Sequence, residues 1–120
     1  MKPEIKKTEF GSITTADQTF EHDIIIRLDG RIKKRKKKLS KAIFGTSHVV
    51  SVDEIKEVYE KGAEEIIIGS GQYGELRLSD EAKKYLKDRK CRIELEPTPE
   101  AIKHWNSSKA KAVGLFHVTC

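Results

Sequence analysis

Apolar positions along this chain fall into short runs that alternate between strand and helical spacing. From Glu9 to Arg35 the spacing is strand-like: Phe10, Ile13, Phe20 and Ile24-Ile25-Ile26 are separated by the polar turn Thr15-Ala16-Asp17-Gln18. Asp29-Gly30 then joins Ile26-Arg27-Leu28 to Arg31-Ile32-Lys33, and Asp-Gly suits a two-residue type I′ turn, in which both central residues take positive φ. The first third therefore reads as a β-meander. Residues 36–48 carry few apolar side chains and read as a loop.

Helical spacing begins at Ser51. Ser51 and Glu54 form a capping-box pattern, Val50 and Ile55 are placed for a hydrophobic staple, and Val52, Ile55, Val58 and Tyr59 supply the apolar face, with Gly62 as the stop. Glu65 to Ile68 is apolar at consecutive positions, the pattern of a strand covered on both faces. Leu76 and Leu78 alternate with polar residues before Ser79 caps a second helix, running to about Arg89 through Ala82, Tyr85 and Leu86. Cys91, Ile93 and Leu95 alternate again as a half-buried strand. Thr98 reads as the cap of a third helix, with Pro99 in its first turn and Ala101, Ile102 and Trp105 on one face. Ala112 to Cys120 is the final strand. The order α-β-α-β-α-β after Ser51 implies parallel strands with right-handed crossovers beside the meander, in one α/β domain over residues 1–120 with three helices.

Composition narrows the function classes. Hydrophobic residues make up 37% and charged residues 36% of 120, which places the chain among globular proteins. No apolar run approaches the ~20 residues of a transmembrane helix, and Met1 to Phe10 is charged throughout, without the apolar stretch of a secretory signal. No membrane association and a cytoplasmic location are expected. Cys91 and Cys120, without C-x-x-C spacing, indicate neither a disulfide framework nor a zinc knuckle, so no metal or cofactor is expected.

The net charge of +5 is localised: Arg27 to Lys41 holds nine basic residues and one acidic residue, and the rest of the chain is net acidic. Within it, Arg35, Lys36, Lys37 and Lys38 are candidates for tracking the phosphates of a nucleic acid. No aromatic residues interleave to stack on bases, and a solvated basic edge that discourages edge-to-edge pairing is the simpler alternative.

Gly69, Gly71 and Gly74 fit G-x-G-x-x-G after a strand. A dinucleotide site needs the last glycine in the opening of a helix, whereas Gly74 is followed by Glu75-Leu76-Arg77-Leu78. A turn after a buried strand, or the wall of a different pocket, remains. Ligands of parallel sheets bind beyond the carboxyl ends of the strands, where Gly69-Ser70-Gly71, the Pro97-Thr98 helix start and His117 to Cys120 converge. Loop N–H groups and a helix start favour an anion there. His48 and His117 either meet across the fold or are separate structural histidines. His117 and Cys120 invite a nucleophile-base reading, but strand alternation puts His117 with Thr119 on one face and Cys120 on the other. His22 and His104 read as ordinary surface positions.

Gly45-Thr46-Ser47-His48, Ile66-Ile67-Ile68-Gly69-Ser70-Gly71, Glu96-Pro97-Thr98 with Ala101 and Asn106, and His117-Val118-Thr119-Cys120 occur here in one order. Together they resemble the Mth938-like family, a domain of unknown function that includes an adipogenesis-associated vertebrate protein and, more distantly, a mitochondrial complex I assembly factor. The basic Arg35 to Lys41 segment looks like the archaeal branch. The resemblance implies a three-layer α/β domain with a mixed central sheet and an added hairpin layer, without an established reaction. The leading expectation is thus a small binding or assembly-type protein. Its cleft, drawn from Thr46, Ser47, His48, Gly69, Ser70, Gly71, Thr98 and His117, would accept a small anionic ligand or a protein partner. Nucleic-acid binding by the basic segment and catalysis by His117 and Cys120 are the alternatives.

Overall fold

Because strand side chains alternate between faces, an uninterrupted apolar run makes sense only where both faces are covered. Two isoleucine triplets meet that condition. In the computed structural model, which describes residues 2–120, the chain passes through strands β1 (Ile5–Glu9), β2 (Ser12–Thr15), β3 (Thr19–Phe20), β4 (Ile24–Ile26) and β5 (Ile32–Lys34). Helix α1 (Lys38–Phe44), the short strand β6 (Val49–Val50), helix α2 (Val52–Val58), strand β7 (Glu65–Ser70) and the short strand β8 (Arg77–Leu78) follow. Helix α3 (Asp80–Asp88), strand β9 (Arg92–Glu96), helix α4 (Thr98–Ser107) and strand β10 (Ala112–His117) complete it.

The central sheet is mixed, in the order β5-β4-β10-β7-β9. β7 runs parallel to both β10 and β9, as the alternation of helices and strands requires; β4 joins β10 antiparallel and β5 closes that edge. Alternation divides the core in two. Ile25, Ile66, Ile68, Val113 and Leu115 face Ile55 and Val58 of α2 and Ala82 and Leu86 of α3. Ile24, Ile26, Ile67 and Phe116 face Ile5 and Ile13 of the N-terminal strands and Ala101, Ile102 and Trp105 of α4. Two helices, the sheet, and a mixed layer of α4 with the β1-β2-β3 sheet make the three layers. Asn106 ties the last layer together, accepting from Ile5 N at 3.0 Å and donating to Ile5 O at 2.8 Å, as a neighbouring strand would. No helix among the described residues is long and apolar enough to cross a membrane.

Several local expectations need correction. The meander is split between two sheets, since β3 pairs with β2 and β4 with β10. The Asp29-Gly30 hairpin forms, but Gly30 alone has positive φ (92°), and its N–H donates to Arg27 O at 2.9 Å. The loop is therefore a three-residue one whose left-handed residue is the glycine, not a type I′ turn. Residues 38–44 form a fourth helix where a loop is expected, its polar surface facing solvent and only Ser40 buried. Helix α2 stops at Val58, with Tyr59 already extended, a turn before Gly62. The Ser51 cap is present, its Oγ accepting from Glu54 N at 3.2 Å, but the Glu54 carboxylate does not return to Ser51; it turns inward toward Arg35 and Ser40.

Candidate functional site

The site follows from strand register. Phe116 pairs with Ile24, and Ile24 pairs with Lys34. One residue further along come His117, Asp23 and Arg35, neighbours in a row across three adjacent strands, and cross-strand neighbours on one face lie within side-chain reach. Asp23 Oδ2 is 2.7 Å from His117 Nδ1 and accepts from Arg35 Nη1 at 2.8 Å, while Oδ1 accepts from Val118 N at 2.9 Å. The same guanidinium donates through Nε and Nη2 to Glu54, and through Nη2 to the Ser47 carbonyl at 2.7 Å. Ser40 Oγ donates to Glu54 and accepts from Ser51 N at 2.9 Å. Arg35, Ser40, Glu54 and His117 are all buried, Glu54 completely. Charges removed from water are tolerated only when such bonds satisfy them on every side.

Burial acts to raise the Asp23 pKa, but the His117 ring, the Val118 N–H and Arg35 together hold it down to about 2. Burial likewise opposes the charge on Arg35, and the carboxylates of Glu54 and Asp23 more than offset it. An ionised Asp23 can only accept, so the hydrogen it shares with His117 resides on Nδ1, and Nε2 lies on the other side of the ring, 3.3 Å from Thr119 Oγ1. His48 stands edge-on to the same ring at 5.5 Å, and its loop is held by Thr46 Oγ1, which accepts from His48 N at 3.1 Å.

These residues border a cleft of about 180 Å³. Its walls bring together Glu21, His22, Asp23, Lys34, Arg35, Lys37, Ser47, His48, His117 and Thr119, with Gly11 and Val118 between them. Ser47, His48 and His117, expected from the sequence, are in it. Thr46, Gly69, Ser70, Gly71 and Thr98 are not among its lining residues; Thr46 holds the His48 loop, and the other four form the floor beneath the terminal segment.

The reason is that the glycine loop clasps the chain itself. Gln72 N donates to Thr119 O at 2.6 Å, and Tyr73 N and Glu75 N both donate to Cys120 O at 3.1 Å. Thr98 is the first helical residue rather than a cap, since Pro97 holds the cap position. The Thr98 hydroxyl instead accepts from Gly71 N at 2.9 Å and donates to His117 O at 2.6 Å. Gly11 N donates to Val118 O at 2.7 Å. Each carbonyl from His117 to Cys120 is therefore anchored, and the N–H groups of Gly71, Gln72, Tyr73 and Glu75 already have partners. Gly71 itself has φ of 102°, and a Cβ there would lie 2.6 Å from Cys120 O and 2.9 Å from the His117 ring.

Of the four basic candidates, Arg35 is withdrawn from any surface role by its buried bonds. Lys36 pairs with Glu57 at 2.9 Å, Lys37 lines the cleft, and Lys38 is exposed at the start of α1. Cys120 is not among the cleft residues, and burial pushes the Cys91 thiol up to about 11, which makes it unreactive at neutral pH. His104 is not an ordinary surface histidine: Nε2 is 3.2 Å from Glu65 and Nδ1 is 3.1 Å from Glu96. Glu94, Glu96 and His104 are close enough to share a cation, but both His104 ring nitrogens already have carboxylate partners.

Sequence reasoning missed Asp23 and Lys34, and His22, read there as an ordinary surface position, lines the cleft; Thr119 was placed on the face of His117 but given no role. The expected two-residue turn at Asp29-Gly30 would place Ile24 opposite Arg35; only the three-residue loop Leu28-Asp29-Gly30 brings Asp23 there. The connection of Asp23 to His117, 94 residues away, had no local trace.

The whole chain has counterparts. The conserved hypothetical protein PH1505 of Pyrococcus horikoshii is 34% identical, with 98% of this chain and 99% of that one covered and a TM-score of 0.88. A protein titled MT938 is 33% identical over 98% and 99% of the two chains, with a TM-score of 0.82. A Mth938-like domain of Bordetella pertussis shares the fold at 16% identity over 97% and 85%, with a TM-score of 0.65. Residues 5–115 match a family described as a protein of unknown function, DUF498/DUF598. With its sequence matched over that span and its relatives alike from end to end, the chain belongs to this DUF498/DUF598 family, the Mth938-like proteins.

Proposed function

We propose that the cleft beside His117 and His48 accepts an anionic group, carried by a small molecule or by an acidic segment of a protein partner in the cytoplasm. The observation that carries this reading is the charge of the walls. Lys34 and Lys37 border the cleft with His22 and His48, while the Asp23 carboxylate is already engaged by Arg35 and His117. Glu21 is the remaining acid, so the free positive charge exceeds the free negative charge. An anion entering such a partly enclosed space meets cations that water screens incompletely. The glycine loop contributes by fixing the segment from His117 to Cys120.

Thermal unfolding with phosphate, nucleotides and dicarboxylates, each against sodium chloride at equal ionic strength, tests the small-ligand form. Stabilisation is expected for the wild type and is expected to shrink in Lys37→Ala and His48→Ala. No stabilisation by any anion overturns the small-ligand form. For the partner form, the wild type and Lys37→Glu are compared as baits in a pull-down; equal recovery of acidic partners by both overturns it.

A further inference from the structure

We propose that Thr119, His117 and Asp23 form a nucleophile-base-orienter triad that takes an acyl group from an anionic ester; the preference for an anion rests on the function proposed above. The two contacts of the imidazole define it: Nδ1 is 2.7 Å from Asp23 Oδ2, and Nε2 is 3.3 Å from Thr119 Oγ1. A hydroxyl on one ring nitrogen and a buried carboxylate on the other is the arrangement by which a base activates an alcohol, and the longer of the two contacts tightens when substrate is bound. Both reacting groups face the cleft, and Thr119 is half-buried rather than sealed in the core.

The supporting groups are held in place before any substrate arrives. Asp23 is fixed by Arg35 and by Val118 N, so it cannot swing away from the ring. The backbone on either side of the Thr119 side chain is fixed, because Thr119 O accepts from Gln72 N, and Val118 O accepts from Gly11 N. Neither cysteine enters this chemistry.

In the first half-reaction the Thr119 Oγ1 proton passes to His117 Nε2 as Oγ1 bonds to the ester carbonyl carbon, whose π pair moves onto the carbonyl oxygen. That pair returns, the bond from carbon to the alkoxy oxygen breaks, and the departing alkoxide takes the proton from Nε2. Water then adds to the acyl-threonine, giving its proton to Nε2, and the free acid leaves as Oγ1 recovers the proton. The sum is ester plus water to acid plus alcohol.

The test uses two activated esters, p-nitrophenyl acetate and the anionic mono-p-nitrophenyl succinate, with release of p-nitrophenolate and the site of acylation both followed. A stoichiometric burst with the acyl group mapped to Thr119 is expected. Acylation is expected to survive in Thr119→Ser and to fall ~100-fold or more in Thr119→Val and His117→Gln, in variants confirmed as folded by circular dichroism. No adduct on the wild type, an adduct confined to lysines or to Cys120, or undiminished acylation of Thr119→Val overturns the triad. If anions stabilise the fold yet no Thr119 adduct forms, the triad falls and the anion-binding cleft stands. Equal rates with the two esters, with Thr119 acylated by both, support the triad and overturn the anion preference.

Discussion

The carboxylate of Asp23 holds His117 through one oxygen, at 2.7 Å from Nδ1, and that same oxygen accepts from Arg35. One short side chain thereby ties the last residue of the central strand β10 to the edge of the sheet. Its pKa lies at about 2, below the ordinary 3.8. A depressed carboxylate pKa contributes stability that is complete above the unfolded value and is lost as pH falls through the folded one. The contribution is about 2 kcal/mol above pH 5 and disappears between roughly pH 4 and 2. Urea unfolding across that range should show the loss in the wild type and a shallower pH slope in Asp23→Asn.

Arg35 sits between two carboxylates and is buried with them. Removing the shared cation leaves Glu54 charged with only Ser40 to satisfy it and Asp23 held by His117 and Val118 N alone, so Arg35→Met should cost about 3–5 kcal/mol. Adding Glu54→Gln and Asp23→Asn should recover part of the loss, because the stranded charges are then gone. Denaturant midpoints of the single and combined variants measure both.

Thr98 is a clamp rather than a cap. Thr98→Val keeps the shape but deletes an acceptor for Gly71 N and a donor to His117 O, for an expected loss of about 1–3 kcal/mol. Thr98→Ser should be milder, as it keeps both bonds. A cap residue at an exposed helix end would show no coupling to Gly71; a double-mutant cycle with Gly71→Ala should show it.

Gly71→Ala should destabilise by ~2 kcal/mol or more, since φ of 102° disfavours any side chain and the added carbon meets the Cys120 backbone, which cannot rotate away. Faster amide exchange at Gln72, Tyr73 and Glu75 should accompany it, because their N–H groups hold that segment.

Lys38→Glu, combined with Lys36→Glu, probes the exposed basic edge. Stability should change by less than about 1 kcal/mol, because the one ion pair involved is solvent-exposed. If the edge tracks phosphates, retention of the wild type on single-stranded DNA should weaken steeply with salt and the charge reversal should abolish it.

Element type was readable in this chain wherever a local rule applied. The period of Val52, Ile55 and Val58, the Ser51 and Ser79 caps and the continuous run at Ile66 to Ile68 each act over a few residues, and each produced the expected helix or strand. Local rules misled where a residue had a distant partner. Glu54 completes a capping-box pattern with Ser51, yet its carboxylate stabilises a buried arginine; Thr98 stands where a cap belongs, yet its hydroxyl bridges two strands' ends.

By itself, then, the sequence determined the α/β order, the parallel core and the convergence of strand ends near His117, since burial pattern, caps and turn residues are properties of neighbouring positions. Only the tertiary structure decided that Arg35 is interior rather than part of a basic surface, that the glycine loop binds the chain's own carbonyls, and that Asp23 is the partner of His117. Those outcomes depend on the register of strands far apart in the chain. A register one residue different would turn His117 and Asp23 to opposite faces of the sheet.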